Sequence, residues 1–308
     1  NLDKKTMRRL LIILTFPILW YFLTQHMRSS HPSPSCFSDL SNQTYVVTGG
    51  TSGIGSETVN AFLKCGAHVV VGSRHTSFPH YNHSRVHTIP LDLASISSAS
   101  SFLSTLSSLE SIPPVRAFVS NGGVFSKFHS LSPHTGIETT FQVNYLTHFH
   151  MVRELLTSNK NLRIVAVVSS SVYYWSTSSL DPEQNRSDYA PFRAYANSKA
   201  SLYRMVMELS RMGVESYAVH PGLIHTSLGS KGGVVERFFA SLFWYVSKTL
   251  RLKHNSPLTR SIFRYSIAPF TKSTSQGAST QVFCATAPSS ELRSGGWYVV
   301  FEREGREF

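Results

Sequence analysis

The sequence predicts an α/β fold: one doubly wound parallel sheet with helices on both faces, carried behind an N-terminal membrane anchor. Two observations predict the sheet. Short β-branched runs alternate with amphipathic stretches from Tyr45 almost to the C-terminus, the pattern of repeated strand–helix–strand units with right-handed crossovers. A glycine-rich turn, "TGGTSGIG", joins the first such run to the first helical stretch. The anchor rests on "LLIILTFPILWYFL" (10–23), a charge-free run preceded by Lys4, Lys5, Arg8 and Arg9. The run is short for a spanning helix, contains Pro17 and is followed by no small-x-small cleavage site. An uncleaved segment that spans the membrane or lies at its interface is therefore expected over 1–28. The chain opens on Asn1 with Met7 just ahead of the arginine pair, so residues 1–6 are expected to stand outside the natural protein. "SSHPSPSCFSDLSNQ" reads as a tether over 29–43, and the folded domain as 44–308.

Each element of that domain has its own signal. "YVVT" (45–48) is a strand, and "GIGSETVNAFLKCG" a helix with Val59, Phe62 and Leu63 on one face. "AHVVVGS" (67–73) and "VHTIPL" (86–91) are the second and third strands. "SISSASSFLSTLSSL" (95–109) is a helix and "VRAFVS" (115–120) a strand. A long helix through "FQVNYLTHFHMVRELL" leads to the strand "RIVAVVSS" (163–170). A helix carrying Leu202, Met205, Val206 and Leu209 at helical spacing precedes the strand "ESYAVH" (215–220), and "GWYVVF" (296–301) is the last strand. No internal repeat or second domain is visible.

Composition narrows the function. With 41% hydrophobic and 15% charged residues the chain supports a substantial core rather than disorder. The net charge of +12 has no zinc-finger spacing, aromatic–basic sheet signature or long basic tract beside it. It therefore points to an anionic membrane surface or a phosphate-bearing cofactor, with no nucleic-acid partner. Cys36, Cys65 and Cys284 are few and widely spaced, and are expected as buried or idle thiols rather than a disulfide framework or zinc site. His75, His80, His83 and His87 cluster without acidic or cysteine ligands and read as a polar surface loop, not a metal site.

The stretch "AYANSKAS" (194–201) is small and polar except for Tyr195 and Lys199. Four residues apart on a helix, a phenol and an ammonium share one face. The glycine turn puts Gly49, Gly53 and Gly55 where a backbone can approach a pyrophosphate and offer it free helix N–H groups. No Gly-Lys-Ser/Thr follows, which excludes a Walker-type ATP site.

"TGGTSGIG" followed by "YANSK" resembles the short-chain dehydrogenase/reductase family, over roughly residues 44–302, and so implies a Rossmann-type sheet. Further landmarks follow in order: "LDL" (91–93), "SNGG" (120–123), "VNYLTHF" (143–149), "VVSSS" (167–171) and "HPGLIHT" (220–226). The resemblance implies hydride transfer between an alcohol or carbonyl and nicotinamide. Tyr195 would be the acid/base, Lys199 its electrostatic partner and a ligand of the nicotinamide ribose, and Asn144 the holder of a relay water. The catalytic serine is one of Ser169, Ser170 and Ser171; retinol-dehydrogenase-like members carry it as the second of a Ser-Ser pair, 25 residues before the tyrosine, which selects Ser170. The cofactor would be held by Gly49, Thr51, Ser52, Gly53, Ile54, Gly55, Arg74, Asp92, Leu93, Asn121, Tyr195, Lys199, Pro221, Gly222 and Thr226. After the second strand stands Arg74 and no acidic residue, which favours NADP(H) over NAD(H). Two departures stand out: the segment between Arg74 and Asp92 is short and has a poor helical pattern, and "SNGG" replaces the usual Asn-Asn-Ala-Gly.

In this family the segment after the Pro-Gly turn forms the substrate lid, here about 229–272. Its "VVERFFASLFWYVSKTLRL" is rich in aromatics and flanked by basic residues. A lid lying against lipid phosphates, admitting a lipophilic retinoid, steroid or polyprenol, is the expectation. The motif order most resembles the retinol-dehydrogenase and polyprenol-dehydrogenase-like branches. The expected location is a membrane, the endoplasmic reticulum by preference, with the facing side open; Asn42, Asn82 and Asn185 begin Asn-x-Ser/Thr sequons that matter if the domain faces a lumen. A homo-oligomer is compatible with the chain. The alternative is a catalytically weak or inactive membrane-associated protein that only binds cofactor.

Overall fold

The computed structural model describes residues 35–74, 83–177, 189–222, 224 and 272–299. The expected anchor, the lid and the C-terminal residues 300–308 lie outside the described residues. Among those described, no helix is long and apolar enough to cross a membrane.

Seven parallel strands form one sheet: β1 (Thr44–Thr48), β2 (His68–Ser73), β3 (Val86–Pro90), β4 (Val115–Ser120), β5 (Arg163–Val167), β6 (Ser216–His220) and β7 (Trp297–Val299). Their order is β3-β2-β1-β4-β5-β6-β7. The chain starts in the middle, steps outward to β3, then returns past β1 to β4. Between β1 and β4 the direction of winding reverses, and that is where a doubly wound sheet opens its binding crevice. The helices are α1 (Gly53–Lys64), α2 (Ile96–Ser107), α3 (Thr139–Phe141), α4 (Thr147–Ser158), α5 (Ser171–Trp175), α6 (Pro191–Arg211) and α7 (Thr274–Thr286).

Strand side chains alternate between two buried layers, which is why the strands read as nearly continuous apolar runs. Val47, Val71, Val119, Val165 and Val219 face a core that includes Val59 and Phe62 of α1 and Val282 of α7. Val46, Val70, Phe118, Ile164 and Ala218 face the opposite core, with Phe102 of α2, Met151 of α4 and Leu202 and Val206 of α6. Arg163 is 1% exposed, yet its guanidinium is fully engaged. It pairs with Glu215 at 2.9 Å and donates to the carbonyls of Cys284 and Ala287, tying β5 to the end of α7. Burial pushes Glu215 up, but hydrogen bonds from Arg163 and Ser289 and the Arg163 and Arg116 charges outweigh it and hold the carboxyl at about 2.

The structure departs from the sequence expectations at four places. α7 was not expected as a helix, although Ser273 and Gln276 form a capping box, the Ser-x-x-Gln signal that marks a helix start. β5 ends at Val167 instead of residue 170, because the chain turns through Ser169 and Ser170 into α5. The long helix before β5 is interrupted by a π-turn, Gln142–Leu146. Finally, Cys36 and Cys65 form a disulfide, leaving Cys284 as the buried free thiol, so the expectation of three idle thiols fails. Spacing alone hid the pair. The backbone N–H of Leu40 donates to the Cys65 carbonyl at 2.8 Å, folding part of the expected tether back onto the end of α1. Leu40 itself is 1% exposed.

Candidate active site at the C-terminal edge of the sheet

The glycine turn leaves β1 at Thr48 and enters α1 at Gly53. Gly49 sits at φ +64°, which favours glycine, and a Cβ there would come within 2.9 Å of Gly122 Cα. A Cβ on Gly55 would meet the Gly49 carbonyl oxygen at 2.4 Å and Asn121 Nδ2 at 2.5 Å. The turn is therefore pressed onto the end of β4 by absent side chains. Ser52, at the N-cap of α1, makes no side-chain cap hydrogen bond, and the first turn of α1 holds no acid. That leaves the helix N-terminus suited to an anion.

Around this cradle the other expected cofactor residues converge. Asn121 donates to the Thr48 carbonyl at 2.9 Å and to the Gly49 carbonyl at 3.3 Å, bracing the turn from β4. Thr51 lies 3.3 Å from Ser73 at the end of β2, and Arg74 follows, exposed to solvent. Asp92 turns a carboxylate oxygen to the Ala94 N–H at 2.9 Å. The Leu93 carbonyl accepts from Thr147 at 2.7 Å, and a Cβ on Gly122 would strike the Leu93 side chain. Ile54 is half-buried in the first turn of α1. Pro221 is buried and Gly222, at φ +84°, follows it past the end of β6. Thr226 lies outside the described residues, as does most of the short segment between Arg74 and β3.

Tyr195 and Lys199 share one face of α6, as their spacing requires. The Lys199 ammonium lies 6.0 Å from the Tyr195 ring centroid and donates to the Val167 carbonyl, at the last residue of β5, at 2.7 Å. Burial pulls Lys199 down to about 8 and pushes the Tyr195 phenol up to about 12, the latter opposed by a hydrogen bond with Ser169. The phenol is thus held protonated at neutral pH. Of the three candidate serines, Ser169 is the one whose hydroxyl lowers the phenol pKa, and Ser170, the choice from sequence, takes the N-cap position of α5 with helical backbone angles.

Asn144 sits in the π-turn, an irregularity that recurs at functional sites. Its amide is bonded within the protein: Oδ1 accepts from the Val124 N–H at 2.7 Å, and Nδ2 donates to the Val124 carbonyl and to Ser198, each at 3.0 Å. The side chain therefore fixes the Gly123–Val124 segment beside Lys199. Sequence reasoning missed His148, which is fully buried. Its ring nitrogens lie 2.9 Å from Thr48 Oγ1 and 3.2 Å from the Asn144 carbonyl oxygen. Thr48 Oγ1 already accepts from the Asn121 and Gly122 N–H groups at 3.0 and 2.9 Å. Its proton is therefore best placed toward His148 Nε2, and Nδ1–H donates to Asn144. Burial, with the Lys199 charge, pulls His148 down to about 3, so the ring is neutral. One imidazole links the glycine turn to the π-turn.

A glycine cradle without side chains, an uncapped helix N-terminus and a buried lysine at the strand ends fit a dinucleotide. The comparisons agree. Residues 43–233 match the family model described as short chain dehydrogenase. The chicken protein named WW domain-containing oxidoreductase (Gallus gallus) is 32% identical over 84% of this chain, and the chain spans 62% of that relative's length. Mouse retinol dehydrogenase 14 (Mus musculus) is 27% identical, covering 84% of this chain and 78% of its own. A short-chain dehydrogenase/reductase structure from Brucella melitensis superposes with a TM-score of 0.56 at 19% identity, over 85% of this chain and 96% of its own, a likeness of fold. With the family's sheet, glycine turn and Tyr-Lys pair in place, this chain belongs to the short-chain dehydrogenase family.

Proposed function

We propose that this protein is an NADP(H)-dependent oxidoreductase for a lipophilic alcohol/carbonyl pair of retinoid, steroid or polyprenol class, working by preference as a carbonyl reductase. The observation that carries the reading is the Tyr195 phenol one helical turn from the Lys199 ammonium, which lies 6.0 Å from its ring at the end of β5. The nicotinamide supplies or accepts the hydride. Tyr195 donates a proton to the carbonyl oxygen as it gains charge, and Ser169 hydrogen-bonds the same oxygen. Lys199 positions the ribose and stabilises the phenolate left behind. Asn144 and His148 keep the strand ends in place. Arg74, exposed after β2, suits the 2′-phosphate of NADP(H).

The substrate class is supported by a run of rings leading from the phenol to solvent. Tyr195 meets Phe125 at 5.6 Å, Phe125 meets Phe192 at 5.4 Å, and Phe192 meets Trp175 at 5.4 Å. Trp175 in turn meets Tyr174 at 5.8 Å, and the two are 46% and 75% exposed. Such a wall offers flat apolar contact with few polar anchors. A membrane partner, through the N-terminal segment and the lid, would present such substrates and belongs to the same proposal. The test is a screen of retinal, a steroid ketone and a polyprenal with NADPH and NADH, in the wild type and in Arg74→Asp. Turnover of at least one apolar carbonyl, with an NADPH preference weakened in Arg74→Asp, is expected. Activity confined to small polar carbonyls, or an unchanged cofactor preference in the variant, contradicts the reading.

A further inference from the structure

At the sheet edge opposite the active site, two features stand close together in the chain. Cys36 and Cys65 are bonded, tying the segment before β1 to the end of α1. Between Cys36 and β1 the chain makes a turn in which the Gln43 N–H donates to the Leu40 carbonyl at 3.0 Å, with Ser41 and Asn42 exposed at its corner. Asn42 begins the tripeptide Asn42-Gln43-Thr44, an acceptor sequence for N-linked glycan. Thr44 opens β1 and donates to the Pro113 carbonyl at 2.6 Å, so the tripeptide straddles the point where the exposed turn becomes sheet.

Each feature alone is weak; together they select one environment. Cytosolic thiols are kept reduced, whereas a disulfide persists in an oxidising compartment. The third cysteine does not compete for a partner, because Cys284 is buried in the core and burial pushes its thiol far up. The exposed sequon is used only on the same, lumenal side of a membrane. Its place at the N-terminal end of β1 keeps a glycan away from Tyr195, which lies at the other end of the sheet. We propose that the folded domain faces an oxidising, glycosylating lumen, with the Cys36–Cys65 disulfide formed there and a glycan carried on Asn42.

The chemistry balances with lumenal co-reactants. The two thiols lose two protons and two electrons to the disulfide of a thiol oxidoreductase, which becomes a dithiol. The Asn42 amide nitrogen bonds to the anomeric carbon of a lipid-diphosphate-linked oligosaccharide, the anomeric C–O bond breaks, the lipid diphosphate leaves and the amide gives up one proton. The acceptor is modified on the emerging chain, before β1 buries Thr44.

The test uses the full chain expressed in a eukaryotic cell, with Asn82→Gln and Asn185→Gln as background so that Asn42 is the acceptor under study. Treatment with an N-glycan-removing enzyme should lower the apparent mass by one glycan, and Asn42→Gln should abolish that change. In the acid-quenched protein, a thiol-alkylating reagent applied under denaturing conditions should label Cys284, and label Cys36 and Cys65 only after reduction. A missing glycan, a shift that survives Asn42→Gln, or Cys36 and Cys65 labelled without reduction overturns the proposal. Neither readout depends on turnover, so failure of the reductase assignment leaves this test intact.

Discussion

Tyr195 and Lys199 were legible in the sequence because a phenol and an ammonium four residues apart on a helix must share a face. For the serine, three consecutive candidates at a strand end differ only in where the chain leaves the sheet. With β5 ending at Val167, Ser170 starts a helix, and Ser169 is the serine proposed to act beside the phenol. Ser169→Ala should therefore lower kcat/KM for carbonyl reduction by ~10²-fold, the scale of one lost oxyanion donor. Ser170→Ala should stay close to wild type, and steady-state kinetics on the two variants decide between them. Lys199 gives a pH dependence of known sign. Its folded value of about 8 lies below the ordinary 10.5, so its charge is lost as pH rises through about 8. kcat/KM for the cofactor, which reports groups of the free enzyme, should fall above that pH. Between about 8 and 10.5 the unfolded chain binds the extra proton, so this group makes stability rise with pH across that window. A Lys199→Met variant should lose both dependences.

At the scale of elements, the strands and most helices were readable from apolar period and glycine punctuation. The π-turn was not, because Gln142–Leu146 has no propensity that separates it from an ordinary helix. Its effect is visible only in three dimensions, where Asn144 locks Val124 and the Asn144 carbonyl faces His148. His148 was overlooked for the same reason: its partner Thr48 is remote in sequence and meets it only at the sheet's edge. His148→Phe removes the partner of Thr48 and of the Asn144 carbonyl in a dry site. A stability loss of about 1–3 kcal/mol is expected from leaving such groups unsatisfied. Denaturant unfolding measures that loss. Because the ring braces the glycine turn, the variant should also weaken cofactor binding more than it lowers kcat. A neutral effect on both would remove His148 from the positioning network.

For the whole molecule, alternating strand and helix signals with a glycine turn after the first strand were enough to foretell a parallel sheet with helices on both faces. Cysteine spacing could not foretell the Cys36–Cys65 link, which depends on the chain before β1 folding back under α1. The proposed mechanism has the phenol as proton donor and the glycine cradle as cofactor site, two functions carried by separate groups. The most direct test of that division compares the wild type with Tyr195→Phe, measuring NADPH binding by fluorescence and carbonyl turnover in the same preparations. Near-equal NADPH affinity and a ~10²–10⁴-fold loss of turnover in the variant are expected. Undiminished turnover in Tyr195→Phe, or a folded wild type that binds no nicotinamide cofactor, would contradict that mechanism.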